Sequence, residues 1–200
     1  MSDLPHSPAA ERNAEPILAV LRDVLPASGT VLEIASGTGQ HVVRFAEALP
    51  RLMFKPSDRS EESVVATRER IARAGLSNVR DPSLLDVEDR PWPIERADAV
   101  VCINMIHISP SSATLALVEG AAAVLPPGAP LVLYGPFVRE GVETAPSNVA
   151  FDRDLKRRDP AWGLRDLGDV SREAEAWGLR EARVFDMPAN NIAVVFRRAS

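Results

Sequence analysis

A single cysteine, Cys102, in 200 residues excludes an internal disulfide and any cysteine-based zinc cluster. Its apolar setting, DAVVCINMI, marks it as a buried small hydrophobe. No apolar run approaches the ~18 residues of a membrane span. The opening MSDLPHSPAAERN lacks the basic start and greasy stretch of a secretory signal. A cytoplasmic protein with no membrane partner is expected. A basic surface is missing too, because 28 acidic side chains outweigh 23 basic ones. The densest cationic cluster, Arg153, Lys156, Arg157 and Arg158, is interleaved with Asp152, Asp154 and Asp159 and reads as a solvated helix face. Nucleic acid is therefore not an expected partner, since it needs an unbroken cationic patch to neutralise phosphates. His6, His41 and His107 are too scattered to suggest a metal site.

What is present is ordinary globular material, 46% hydrophobic and 26% charged. It suffices for one domain over residues 1–200, burying roughly 70% of the surface of the unfolded chain. From Pro16, apolar residues at helical spacing run to Leu25 and stop at Pro26 and Gly29, with residues 1–10 expected as a mobile tail. Residues 30–35 form a β-branched run that breaks into SGTG and then a helical stretch, 40–49. The unit repeats as strand 52–57, helix 61–74 closed by Gly75, strand 83–87, an almost continuously apolar strand 97–105, helix 113–125 halted by PPG, and strand 131–135. Each strand waits for a crossover helix, so the implied order is parallel, with 97–105 central and covered on both faces. A helix, 167–177, and a strand pair, 179–187 and 192–197, close a doubly wound α/β domain. Residues 138–165 read as irregular, and at that length a substrate lid is expected.

The segment VLEIASGTG places Glu33 near the end of the first strand, with Ser36, Gly37 and Gly39 in the turn where an open parallel sheet binds ligands. Val42 stands where a dinucleotide fingerprint needs a third glycine, and a pyrophosphate would meet the like charge of Glu33. S-adenosylmethionine (SAM) carries no phosphate. Its ammonium and sulfonium suit an acidic residue, and its carboxylate can face the amides of a helix start. Asp58, nineteen positions after Gly39 and followed by Arg59, can take both ribose hydroxyls; its alternative role is a helix cap. Asp86, with Val87, can receive an adenine amine or simply close a turn. The fourth strand ends in NMIHISP, so Asn104 borders the cofactor and His107 is the candidate general base, against the alternative of a structural histidine. Tyr134 is the second candidate contact to the acceptor.

With VLEIASGTG, PSD and LLDV on successive strands, the sequence resembles the class I SAM-dependent methyltransferases, departing at Ala35 where the usual motif has glycine. More narrowly it resembles the family of methyltransferase-like protein 26, through ERNAEPIL, LEIASGTGQH, PSD, CINMIHISP, YGPF, SNVAFDRDL, DPAWGLRD and MPANN. These stretches cover nearly the whole chain from Glu11 to Arg198. The resemblance implies a Rossmann-like seven-stranded sheet, mostly parallel with an antiparallel closing strand. It also implies SAM as cofactor and Ala35, Ser36 and Gly37 as part of its cradle. The expected reaction is in-line methyl transfer to a small polar O, S or N acceptor, which the resemblance does not name.

Residues of the same stretches that a core would not need, Arg12, Asn13, Ser147, Asn148, Asp152, Trp162, Arg165, Asn190 and Asn191, are expected to line one substrate pocket. The alternative is a network that pins the insertion down. Two other functions stand beside methyl transfer: a non-catalytic SAM-binding interaction protein, and an NAD-linked oxidoreductase, which Val42 and Glu33 argue against. The oligomeric state is open, a homodimer included.

Overall fold

The computed structural model describes residues 4–200. Ser7 followed by Pro8 starts the first helix, α1 (Pro8–Val24). The serine hydroxyl accepts the N–H of Ala10, and the proline brings a preset φ to the first turn. The helix runs through Pro16 at the loss of one backbone hydrogen bond, so it begins well before the point that apolar spacing suggests. Residues 7–10, expected in a mobile tail, therefore carry the cap and first turn, and residues 1–3 of that tail lie outside the described residues.

The β-α alternation follows as β1 (Gly29–Ile34), α2 (Gln40–Ala48), β2 (Leu52–Asp58), α3 (Glu61–Ala74), β3 (Ser83–Leu84), β4 (Ala99–Ile103), α4 (Ser111–Val124) and β5 (Pro130–Gly135). Two expected strands are shorter than the apolar pattern implied. β3 gives way to a turn at Asp86, and β4 stops because Asn104 adopts a left-handed φ of 58°. Residues 137–166 are not irregular. They hold β6 (Phe137–Val138), α5 (Pro146–Arg158) and β7 (Arg165–Asp166), with Phe137 paired to Arg165. The helix escaped the sequence pattern because its apolar stripe is thin, with only Asn148 and Leu155 buried. The chain ends in α6 (Leu167–Ala176), β8 (Leu179–Met187) and β9 (Asn191–Arg198).

Seven strands form one sheet in the order β3-β2-β1-β4-β5-β9-β8, parallel except that β9 runs antiparallel to both its neighbours. Alternate residues of each central strand serve opposite cores. Val31, Val101 and Val132 pack on α1 and α2 through Leu18, Leu21 and Phe45, whereas Leu32, Val100 and Leu131 pack on α4 and α6 through Leu117 and Ala174. Both faces are covered, which is why the strands read as unbroken apolar runs. β1 and β4 are neighbours from which the chain departs in opposite directions. That reversal opens a crevice above their carboxyl ends. Among the described residues, no helix is long and apolar enough to cross a membrane.

Candidate active site

A cavity of about 500 Å³ occupies that crevice. The turn after β1 forms its floor. Gly39 caps α2 in a left-handed conformation, and a Cβ there would stand 3.0 Å from Thr67, so both backbone and packing call for glycine. The Gly37 N–H donates to Asp58 Oδ2 at 2.9 Å, and Asp58 Oδ1 accepts the Ser60 N–H at 2.9 Å. Each carboxylate oxygen keeps a further lone pair for a hydroxyl donor. Helix α3 is capped by Ser60, which removes the capping alternative for Asp58. Asp86 Oδ1 accepts the Glu88 N–H, so the residue closes a turn as its alternative role foresaw, and it also lines the cavity. Ala35, Ser36, Gly37, Asp58, Arg59, Asp86, Val87 and Asn104, the residues expected around a cofactor, all line this one cavity. Gly39 and Glu33 lie outside the lining.

Glu33 is buried beneath the turn, and its Oε2 has no hydrogen-bond partner. Burial pushes its pKa up to about 7, with the Ser36 hydroxyl opposing and the Asp58 charge adding to the rise. Among the described lining residues Arg59 is the one permanent cation, against Asp58 and Asp86. His41, also in the wall, is pushed down to about 4 by burial, with the Ala10 carbonyl opposing, and so adds no positive charge at neutral pH. A buried acid below with one unpartnered oxygen, two carboxylates and a single guanidinium fit a ligand that brings cations and no phosphate. A Cβ on Gly37 would meet nothing within 4 Å, so the floor is open to such a ligand.

Several wall residues were not anticipated, among them Ser7, Ala10, Gln40, Met105 and Ile108, and Trp162, expected in a substrate pocket, lines this cavity. Gln40 Oε1 accepts the Ser7 N–H at 2.6 Å, and its Nε2 donates to the Ser7 carbonyl at 3.3 Å. Arg70 donates to the Thr38 carbonyl at 2.6 Å and to the Pro5 carbonyl at 2.5 Å. The start of the chain is thereby strapped across the glycine turn. The Ser7-Pro8 pair was the sequence signal that could have located this strap.

The expected acceptor residues are not gathered in one pocket. Tyr134 and Asn13 meet on the α1 face of the sheet. Burial raises the Tyr134 pKa while hydrogen bonds from Asn13 and Asn191 lower it, and Asn13 Oδ1 lies 2.7 Å from His41 Nε2. Asn148, Asn190 and Asn191 line a second cavity of about 290 Å³ with Arg139, Glu143 and Asp186. There Asn148 Nδ2 donates to the Asn190 carbonyl at 2.8 Å, and Asn190 Nδ2 donates to Ser147 Oγ at 3.1 Å. These amides tie α5 to the left-handed turn at Ala189 and Asn190, which is the pinning alternative made concrete. Arg165 faces neither cavity. Its guanidinium donates to the Ile106 carbonyl at 2.9 Å and to the Ser109 carbonyl. Arg12 is exposed on α1 and lines neither cavity.

His107, expected at the reacting end, is only 1% exposed, lines neither cavity, and has no partner for Nδ1. It fills the space that a Gly135 side chain would take, where a Cβ would stand 2.3 Å from its Cε1. Burial, and then the nearby Arg165 charge, push its pKa down to about 4.

Comparison with known proteins agrees on architecture. A phosphatidylethanolamine N-methyltransferase of Cereibacter sphaeroides is 27% identical over 112 residues, which span 56% of this chain and 53% of that protein. An O-methyltransferase family protein from Burkholderia thailandensis superposes with a TM-score of 0.80 at 19% identity over 96% of this chain and 58% of the other. The methyltransferase CalO1 of calicheamicin biosynthesis, solved with S-adenosylhomocysteine (SAH) bound, superposes with a TM-score of 0.77 at 21% identity, covering 96% of this chain and 55% of that one. The chain thus spans little more than half the length of these relatives, and what it shares with the solved structures is the class I methyltransferase fold. A family profile matches residues 4–198, and the chain belongs to that family, described as a protein of unknown function (DUF938).

Proposed function

We propose that the chain is a cytoplasmic SAM-dependent methyltransferase acting on a small polar acceptor, of the kind implied by its resemblance to the methyltransferase-like protein 26 family. The observation that carries this reading is the buried Glu33, with Oε2 unpartnered, under a cavity whose described wall holds Asp58 and Asp86 against one permanent cation, Arg59. When bound there, SAM supplies a methyl group already activated by its sulfonium. Asp58 accepts the ribose hydroxyls, Asp86 and Val87 border the adenine, and Gly37 and the start of α2 face the carboxylate. Glu33 underlies the cationic part. Asn104, turned by its left-handed backbone at the β4 tip, borders the reacting end, and the hydrogen-bonded group of Asn13, Tyr134 and Asn191 is the candidate contact for an acceptor.

Holding nucleophile, methyl and sulfur in line supplies the acceleration in this reading. His107, with a pKa near 4 and a buried ring, is a weak base and serves as a positioning group behind Gly135. An acceptor that is nucleophilic without help, or that loses its proton after transfer, suits this arrangement. Relatives named as N- and O-methyltransferases are consistent with either atom.

A non-catalytic SAM-binding role is favoured by one observation: Val142, Val149 and Phe151 of residues 138–165 are exposed apolar side chains, 49%, 44% and 38% accessible. Incubation with methyl-labelled SAM and fractionated cell extract separates the two. Label entering a small-molecule fraction supports the enzyme, whereas tight SAM binding with no transfer and a stable protein complex supports the alternative.

A further inference from the structure

We propose that Trp162, carried by the segment between β5 and α6, closes the cofactor cavity against the adenine ring, and that Arg165 positions it. This rests on reading the cavity as an adenosyl site. Asp86 shares the cavity wall with an apolar set, its chain neighbours Leu85 and Val87 together with Met105, Ile108 and Ala113. An apolar slot beside a carboxylate that can accept an exocyclic amine suits a purine. Among the described residues 138–165, Trp162 alone lines this cavity. A segment expected to cover an acceptor thus contributes its largest aromatic ring to the cofactor side. The Arg158 guanidinium lies 5.2 Å from the ring centroid and backs the indole.

The backbone around Trp162 is fixed to the wall it would complete. Gly163 N–H donates to the His107 carbonyl at 3.1 Å, and Arg165 donates to the carbonyls of Ile106 and Ser109. Those acceptors flank Ile108 on the loop after β4. On the other side, Leu164 N–H donates to Asp152 Oδ1 at 2.9 Å, which ties the segment to α5. Arg165 lines neither of the two cavities described, and in this proposal it acts on the ligand through Trp162.

Calorimetry with SAH on the full chain tests this, with tryptophan emission as the second readout. Trp162→Ala should weaken SAH about tenfold or more, as loss of base-to-aromatic stacking does, while Trp162→Phe should stay within about threefold of the parent. Arg165→Ala should weaken binding to a similar degree, and adding it to Trp162→Ala should bring no further loss. SAH should alter the emission of the parent but not that of Trp162→Phe, which retains Trp92 and Trp177 and keeps the test open should the alanine variant fail to fold. Unchanged parent emission on SAH binding, or parent-like affinity in folded Trp162→Ala, would overturn the proposal. A parent that binds no adenosyl compound would overturn the adenosyl reading itself, and this inference with it.

Discussion

Glu33 carries a proton-linked cost that the rest of the fold must offset. Its carboxyl titrates at 4.5 in a model peptide and at about 7 in the folded chain. Below pH 4.5 both states hold the proton and there is no penalty. As pH rises from 4.5 to 7 the unfolded chain ionises first, so this contribution to stability falls and then levels off. Glu33→Gln should therefore match the parent at pH 4 and exceed it at pH 8 by up to about 3 kcal/mol in urea unfolding. An equal difference at both pH values would contradict the assignment. His41 and His107 act in the opposite sense, because their folded pKa values are depressed from 6.5 to about 4. Their stabilisation is present above pH 6.5 and lost as pH falls toward 4. If His107 is a positioning group, kcat/KM of His107→Asn should keep the parent's pH shape between 6 and 9. A limb near 6.5 in the parent that vanishes in the variant would restore it as a base. Ala35 adds a test of backbone strain at φ 58°. Ala35→Gly should gain about 0.5–1 kcal/mol, or about 1–4 °C in Tm, where a helix-interior glycine would lose as much. The acids were legible because strand-end carboxylates have a local context. The burial of His107 was not, since it depends on Gly135 of a neighbouring strand.

Elements were legible where period and punctuation agreed. Helix α3, opened by Ser60 and closed by Gly75, matches its sequence pattern to the residue, as does β8. Helix α1 was misplaced because Pro16 looked like a start, while the true start is a serine cap whose helical turn binds the glycine loop through Gln40. Helix α5 was missed because it presents one buried leucine and one buried amide instead of an apolar stripe. Ser7 and Ala10 of the strap also line the cavity of about 500 Å³, so under the proposed function the strap should affect ligand exchange as well as folding. Arg70→Ala removes the link between the Thr38 and Pro5 carbonyls and should speed SAH dissociation several-fold with little change in Tm. Stopped-flow release measures this, and an unchanged off-rate would make the strap purely structural. Asn148→Ala should free α5 from the Asn190 carbonyl at a cost of about 1 kcal/mol, read as faster proteolysis within residues 138–165.

At the scale of the molecule, the sheet order decides where chemistry can occur. Reversal of direction between β1 and β4 gathers the tips of β1, β2 and β4 around one crevice, and the two cores hold those tips fixed from both faces. The alternation of strands and helices made this crevice legible from sequence. The separation of the acceptor-side amides into a second cavity was not, because it depends on how residues 138–165 meet the β8–β9 turn. The most direct measurement is side-by-side calorimetry of the purified chain with SAM, SAH and NAD at neutral pH. Micromolar or tighter binding of both adenosyl compounds at one site, abolished by Asp58→Ala, with no heat from NAD, is the expected result. Saturable binding of NAD with no response to SAM or SAH would contradict it.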